Sequence, residues 1–437
     1  MIFSKANFGT FSTSLVIQAC GAVTGILTAR LLGPVARGEL ATVILWPTIL
    51  SNVGLMGCNW VLAREVAKDP EREGDWVSCG VAVGLATALL YLLIGYFLVP
   101  VLLPSDRIYL IPVTRLCLLL IPLDMFNQIL LAVEHGRMRW RRYNVLRLSF
   151  SLFYLILIGC IGVTRRVQVR WFVAAFLVAQ LLAVILRVWI HRRSLAGGKV
   201  RLDGCQHLLR AGVPFFGATI GNLISLQLDT ILVVSLFHAE AAGIYAVAGA
   251  FASGQSSLGE ALGITSFAVL SNETNAGSRA RIITETFRQS ALVSCGAGLA
   301  LSSAIPFLVT PLFGFGFARA VWPAVVLALA ASLTALANIL NQGLRGAGRP
   351  HAGLVSQLLG TGAMALTALF FLRRFGLVGI AFAVWISACV QLLALIVAAA
   401  KWLRVSPLQF WPFGAGNVRR FVQQVAALRL RYSRTPA

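Results

Sequence analysis

The stretch Ala29–Ala41 reads A-R-L-L-G-P-V-A-R-G-E-L-A and lies between two long apolar runs. Gly33-Pro34 predicts the end of one helix, because proline cannot continue it and pushes the preceding residue out of the α region. Gly38-Glu39 predicts the start of the next. The pattern returns 205 residues later, where Leu236, Gly243 and Ala246 stand in the places of Leu31, Gly38 and Ala41. A helix–short turn–helix unit used twice at that distance predicts a chain of two related halves.

Outward from that turn the chain is strongly apolar. Of its 437 residues 58% are hydrophobic and only 12% charged, with a mean hydropathy of +0.83. Soluble domains carry about 25% charged residues, so the composition predicts a polytopic membrane protein. Apolar runs of roughly 20 residues suit helices crossing a ~30 Å hydrocarbon core. The alternating segments of about 10 residues that mark a transmembrane β-barrel are absent. The net charge of +22 comes from 33 arginines and 4 lysines against 15 acids. It reads as topology-setting charge in the loops, and no nucleic-acid partner is expected. The eight cysteines are scattered one per segment with no CxxC or Cys/His cluster. That spacing predicts neither metal nor disulfide framework, and no cofactor; the thiols serve as small apolar fillers. The first apolar run, after Lys5, continues into the repeated unit and is read as a retained helix rather than a signal peptide.

The fold class is all-α, with about 12 transmembrane helices in two six-helix parallel repeats around a central cavity. The segments fall at about 8–30, 40–62, 77–99, 109–133, 144–163, 171–191, 208–236, 242–268, 288–311, 320–344, 352–372 and 378–403. The expected domains are an N-terminal half (1–195), a C-terminal half (196–404) and a basic tail (405–437). With both termini inside, 27 basic residues fall in inner loops and nine in outer loops, leaving Arg115 within a helix. That asymmetry supports cytoplasmic N- and C-termini. Two further echoes support the repeat: Gly136-Arg137 with Gly348-Arg349 at 212 residues, and the runs from Ala179 and Val390 at 211. Six helices per half give both halves the same orientation, an architecture of transporters with the site between repeats.

Polar residues line single faces of several apolar segments. The first carries Asn7, Thr10, Ser14, Gln18, Gly21 and Gly25; the second Asn52 and Asn59, seven apart. The fourth has Asp124, Asn127 and Gln128, and the seventh Asn222, Ser225 and Asp229. The eighth has Ser253, Ser256, Ser257 and Glu260, and the tenth Thr334, Asn338, Asn341, Gln342 and Arg345. Such faces serve either as interhelical hydrogen bonds, worth ~0.6 kcal/mol each, or as the lining of a water-filled cavity. Arg115 inside the bilayer costs ~2.5–3.5 kcal/mol unless compensated. On one continuous helix Asp124 would lie on the opposite side from it, so Arg115 must snorkel, pair with another helix or face the cavity. Asp229 and Glu260 could salt-bridge an arginine, bind a coupling cation or be protonated.

Three motifs resemble the polysaccharide and O-antigen flippases of the multidrug/oligosaccharidyl-lipid/polysaccharide (MOP) exporter superfamily. They are Ala29–Ala41, L-D-T-I-L-V-V-S-L-F…A-A-G-I-Y-A-V-A (228–248) and G-L-R-G-A-G-R-P (343–350). The chain departs from the superfamily's peptidoglycan-precursor flippases in having fewer predicted helices and no arginine-rich first helix. The resemblance implies a membrane protein that moves undecaprenyl-diphosphate-linked oligosaccharide to the periplasmic leaflet by alternating access. It implies a central cavity lined by helices 1, 2, 7 and 8, where polar faces were found independently.

On this reading Arg64, Arg115, Arg210 and Arg345 are candidates for the diphosphate, since a guanidinium donates two hydrogen bonds. Gln18, Asn52, Asn59, Asn222 and Asn338 are candidates for sugars, and Asp229 and Glu260 for a coupling ion. The paired turns become outer hinges, with Arg30 and Arg37 as rim charges. The expected partners are lipid-linked oligosaccharide, membrane lipids and export components such as a polysaccharide polymerase, in a bacterial inner membrane. No catalytic residue is assigned. The alternatives are a cation-coupled multidrug exporter, a polytopic polysaccharide polymerase or ligase, and a passive scramblase or scaffold. An exporter of cationic drugs needs cavity acids, and an enzyme needs a catalytic constellation that the five scattered histidines do not form.

Overall fold

The computed structural model describes residues 5–164, 167–272, 276–346 and 351–412. Side chains are described for these residues except 5–8, 11, 218, 219, 222, 256–272, 276–279 and 346. Among the described residues the secondary structure is entirely helical. The helices are α1 (Lys5–Gly54), α2 (Cys58–Lys68), α3 (Glu73–Leu102), α4 (Ile111–Cys117), α5 (Leu120–Gly136) and α6 (Trp140–Thr164). There follow α7 (Val169–Gly197), α8 (Leu202–Leu236), α9 (Ala239–Asn272), α10 (Ala276–Phe313), α11 (Val321–Gly346) and α12 (His351–Leu403).

Eight of these stretches are long and apolar enough to cross a membrane. Two are too long for one crossing. α1 has 50 residues and α12 has 53, about 75–80 Å of helix at ~1.5 Å per residue. Each bends sharply at a glycine outside the helical region: Gly33 (φ 72°, ψ 177°) and Gly376 (φ 54°, ψ −128°). Each half of these helices is therefore a crossing. With α8 and α9, the crossings match the twelve expected segments, and the chain is an all-α polytopic membrane protein.

At Gly33-Pro34 the break falls where expected, but the second helix starts at Pro34 rather than at Gly38-Glu39. A positive φ at Gly33 turns the chain, and proline is pre-organised for the first helical position, where no N–H is needed. Gly38 is thus released from any capping role. One other expectation is corrected. The second segment is broken at Leu55–Gly57, where Met56 and Gly57 take positive φ. Asn52 and Asn59 therefore do not share one helical face. The fourth segment only tightens at Leu118 and Leu119, whose φ/ψ stay in the α region, so the expected separation of Arg115 from Asp124 around it stands.

By contacts the described chain forms two compact units, residues 1–250 with 308–320, and 251–307 with 321–437. This division follows contact density; the repeat boundary expected at 195/196 concerns internal similarity and is a separate matter. In the first unit Ile121, Met125, Ile129 and Val133 of α5 form the centre, packed with Leu40 and Val43 of α1, Val77 of α3 and Phe172 of α7. In the second, Phe287 of α10 packs with Leu336 and Leu340 of α11, Leu395 of α12 and Phe410, which lies just past α12. A 3₁₀ turn at Ser105–Leu110 recurs at Phe315–Ala320, 210 residues on, each leading into the next crossing. That is one more echo of the repeat.

Candidate functional site

The two copies of the opening motif meet. A Cβ on Gly38 would stand 1.7 Å from the carbonyl oxygen of Ala239 and 2.7 Å from the nitrogen of Gly243; one on Gly243 would stand 1.9 Å from the carbonyl oxygen of Pro34. The repeat-equivalent glycines thus let α1 and α9 cross backbone to backbone, the small-residue packing that membrane interiors favour. Arg107 locks this joint. Only 1% exposed, it donates to the Thr42 hydroxyl (2.7 Å) and to the Phe237 carbonyl at the end of α8. Thr42 in turn donates to the Gly38 carbonyl. Nearby, Tyr109 donates to Glu39, and Arg30 donates to the Pro311 and Leu312 carbonyls that close α10. Asp229 of α8 accepts from Tyr245 of α9 at 2.8 Å and from the Thr230 amide at 2.7 Å.

Beside the joint, inside the first unit, lies a cavity of about 400 Å³. The first half of α1 contributes Gly21, Thr24, Gly25 and Thr28, and its second half Arg37, Ala41, Ile44, Leu45 and Thr48. The wall is completed by Phe150, Ser151 and Tyr154 of α6, Phe176 of α7 and Gln227 of α8. Arg37 is the one charged residue in that lining, and its enclosed Nε has no hydrogen-bond partner among the described residues. Phe150 stacks on Tyr154 with planes 7° apart, and both meet Phe176 edge-on. The lining combines a cation, hydroxyls and an amide with an aromatic cluster. It suits an anionic ligand with polar substituents. Arg37, read from sequence as a rim charge, is corrected: Gly33 turns the chain and Pro34 restarts the helix at once, carrying Arg37 to the cavity.

A second polar system is buried in the same unit. Arg187, 4% exposed, donates to Asn127 and to the Leu146 carbonyl at 2.6 Å; Asn127 donates to Gln180 at 2.5 Å. Asp124 accepts from Ser51 and Gln128. One turn beyond Arg187, His191 lies 3.0 Å from Glu134, which also faces Arg139 at 3.7 Å. Arg107 and Arg187, both counted as loop charges in the topology, are thus interior residues.

The sequence-predicted residues are dispersed. Arg64 is exposed and paired with Glu65 at 2.8 Å. Burial pulls the Glu65 carboxyl upward, but hydrogen bonds from Arg64 and His207 and the charges of Lys68 and Arg64 outweigh it, holding it below its ordinary value. Arg115 lies over the ring of the exposed Tyr96, 4.1 Å from its centroid, with its enclosed Nε unpartnered among the described residues. Arg210 and Arg345 are exposed; Gln18, Asn59 and Asn338 are half-buried. Asn52 donates to the Thr48 carbonyl of its own helix at 2.8 Å. The side chains of Asn222 and Glu260 fall outside those described, as do the side chains of Asn7, Ser256 and Ser257. The first-segment face is brought together: Thr10 and Ser14 accept from Asn144 and Arg147 of α6, while Gly21 and Gly25 line the cavity. Among the described residues no His, Cys, Asp and Glu group is placed to hold a metal.

Comparison with known proteins agrees with this architecture. The structure is similar to an inward-facing multidrug resistance MATE family transporter of the MOP superfamily (TM-score 0.74, 13% identity, 89% of this chain and 94% of that one). It is also similar to the lipid II flippase MurJ in an inward closed conformation (TM-score 0.77, 12% identity, 98% and 93%). An outward-facing MATE structure matches with a TM-score of 0.63 at 15% identity, over 91% of this chain and 94% of that one. At these identities the likeness is one of fold. No curated protein matches. Residues 4–258 match the family described as "Polysaccharide biosynthesis protein". The chain therefore belongs to the polysaccharide biosynthesis protein family and has the fold of the MOP-superfamily transporters.

Proposed function

We propose that this protein flips undecaprenyl-diphosphate-linked oligosaccharide from the cytoplasmic to the periplasmic leaflet of a bacterial inner membrane. It would do so by alternating access, for the synthesis of a polysaccharide such as O-antigen or exopolysaccharide. The observation that carries the reading is the Arg37 cavity, set among the crossings of a chain in a polysaccharide biosynthesis family. A diphosphate and its sugars cannot enter hydrocarbon without replacing their hydration. Arg37 offers a planar pair of donors to phosphate oxygens. Thr24, Thr28, Thr48, Ser151 and Gln227 offer hydroxyls and an amide to the sugars, and the aromatic wall offers flat faces to their C–H edges. Arg64 and Arg210 are assigned to first contact at the inner surface, Gln18, Asn52, Asn59, Asn222 and Asn338 to sugar, and Arg115 and Arg345 to the diphosphate. A coupling-ion role for Asp229 requires Tyr245 to release it; Glu260 is the other proposed ion site. Both termini are placed in the cytoplasm.

The test is loss of the protein in its own bacterium. Undecaprenyl-linked glycan accumulates in the cytoplasmic leaflet, Arg37→Ala reproduces that accumulation at normal membrane abundance, and Arg37→Lys restores part of the export. Full export by Arg37→Ala sinks the assignment. The fold shared with multidrug MATE transporters supports one rival, export of cationic drugs. The single cavity charge, an arginine, opposes it. If the deletion strain became drug-sensitive with normal glycan, the rival would stand.

A further inference from the structure

The ends of α6 and α7 form a second, larger cavity, of about 610 Å³, lined by Arg141, Arg142, Val145, Leu146, Trp189, Ile190, Arg192 and Arg193. Arg141 and Arg142 sit in the first turn of α6, Arg192 and Arg193 near the last turn of α7. No acid lines the cavity, and none of these four arginines has an ion pair among the described residues. Two acids of the same unit pair elsewhere: Glu73 with Arg137 and Arg139, Glu134 with Arg139 and His191. Topology-setting needs only a number of charges in a loop. It does not require four of them, from two helices, to converge on one concavity. Their mutual repulsion is a cost that a bound anion relieves, and the N-terminal end of α6 adds to the positive field around Arg141 and Arg142.

The cavity is also half apolar. Trp189 (61% exposed) and Val145 line it, and Arg192 lies 5.3 Å from the Trp189 ring centroid. Beyond it the exposed faces of α6 (Leu152, Ile156) and α7 (Leu182, Ile185) continue into the crossing. A ligand filling this site carries phosphate at one end and hydrocarbon at the other. We infer that the α6–α7 cavity is a binding site for an anionic phospholipid, with its phosphate among Arg141, Arg142, Arg192 and Arg193, its acyl chains along α6 and α7, and Trp189 at the boundary. The site is separate from the Arg37 cavity: no residue lines both.

The test is native mass spectrometry of the full-length protein in detergent, titrated with phosphatidylglycerol, phosphatidylcholine or inorganic pyrophosphate. Phosphatidylglycerol binds in preference to phosphatidylcholine, and pyrophosphate fails to displace it. Each arginine replaced by glutamine weakens phosphatidylglycerol about fivefold, the about 1 kcal/mol that a basic residue at an anionic membrane surface is worth. Arg141→Gln with Arg142→Gln, and Arg192→Gln with Arg193→Gln, are made as separate pairs, with melting temperature as the fold control. If one pair does not fold, the other carries the test, and the corresponding lysine pairs keep most of the affinity. Equal binding of the two lipids, retention of phosphatidylglycerol by a folded glutamine pair, or displacement by pyrophosphate each overturns the inference.

Discussion

Replacing Gly38 with alanine drives a methyl group into the backbone of α9. The new carbon would stand 1.7 Å from the Ala239 carbonyl oxygen, about 1.6 Å short of a carbon–oxygen contact of ~3.3 Å. The neighbour is backbone on both sides, so no side chain can swing away; the helices must part by that distance. Parting them loosens the Arg107 clamp, because its two acceptors, Thr42 and Phe237, lie on opposite sides of the crossing. Overpacking of this kind costs about 1–3 kcal/mol, and the backbone contact puts it at the upper end. Gly243→Ala meets the Pro34 carbonyl at 1.9 Å and costs a similar amount. Because either methyl opens the same gap, the double variant loses much less than the sum, a coupling of about 1–2 kcal/mol. The assay is thermal unfolding of the purified single and double variants in one detergent, with membrane abundance in cells alongside. A Gly38→Ala protein that melts with the parent, or losses that simply add, would refute the joint as described.

Three further outcomes follow from the interior. Arg187→Leu leaves the Asn127 amide oxygen without its donor, while the Leu146 carbonyl keeps Ser149; it should destabilise the protein by about 1–3 kcal/mol, read as a lower melting temperature, and an unchanged melt would show the network to be dispensable. Tyr245→Phe removes the tie between α8 and α9, whereas Asp229→Asn keeps an amide able to bond the Tyr245 hydroxyl and removes only the acid. If Asp229 is structural, Tyr245→Phe lowers stability more than Asp229→Asn and neither moves the pH profile of export, whereas a shifted profile in Asp229→Asn alone assigns the acid to the coupling ion. Glu65 is held below its ordinary value, so its tie to Arg64, Lys68 and His207 is present at neutral pH. That tie is lost as pH falls through the lowered value. Hydrogen exchange in α2 should therefore hold through mild acid and rise only below the ordinary carboxylate range, slightly because the partners are exposed; Glu65→Gln should abolish the dependence.

The membrane class and the helix count were legible because they depend on local quantities: apolar length, charge content, and glycine or proline at a break. The repeat was legible because Leu31, Gly38 and Ala41 carry their own echo. What a motif is for was not legible. The residues that marked the family, Gly38, Gly243, Asp229 and Tyr245, are those that hold one crossing together, and spacing along a chain does not say which faces meet. Periodicity also failed where a backbone break intervened. Asn52 and Asn59 lost their shared face to the turn at Met56-Gly57, and Arg115 found Tyr96 on α3, a partner that no distance in sequence indicates.

Charge shows the same limit most clearly. By itself the sequence determined how many arginines flank each crossing, and so the topology they favour. Arg37, Arg107 and Arg187 are the same residue type in similar loop contexts, yet one lines a cavity, one clamps a crossing and one sits in a buried network. That sorting depends on which carbonyls and side chains from distant segments converge on each guanidinium. Only the packed helices supply those groups, so only the tertiary structure decided which charges belong to the site.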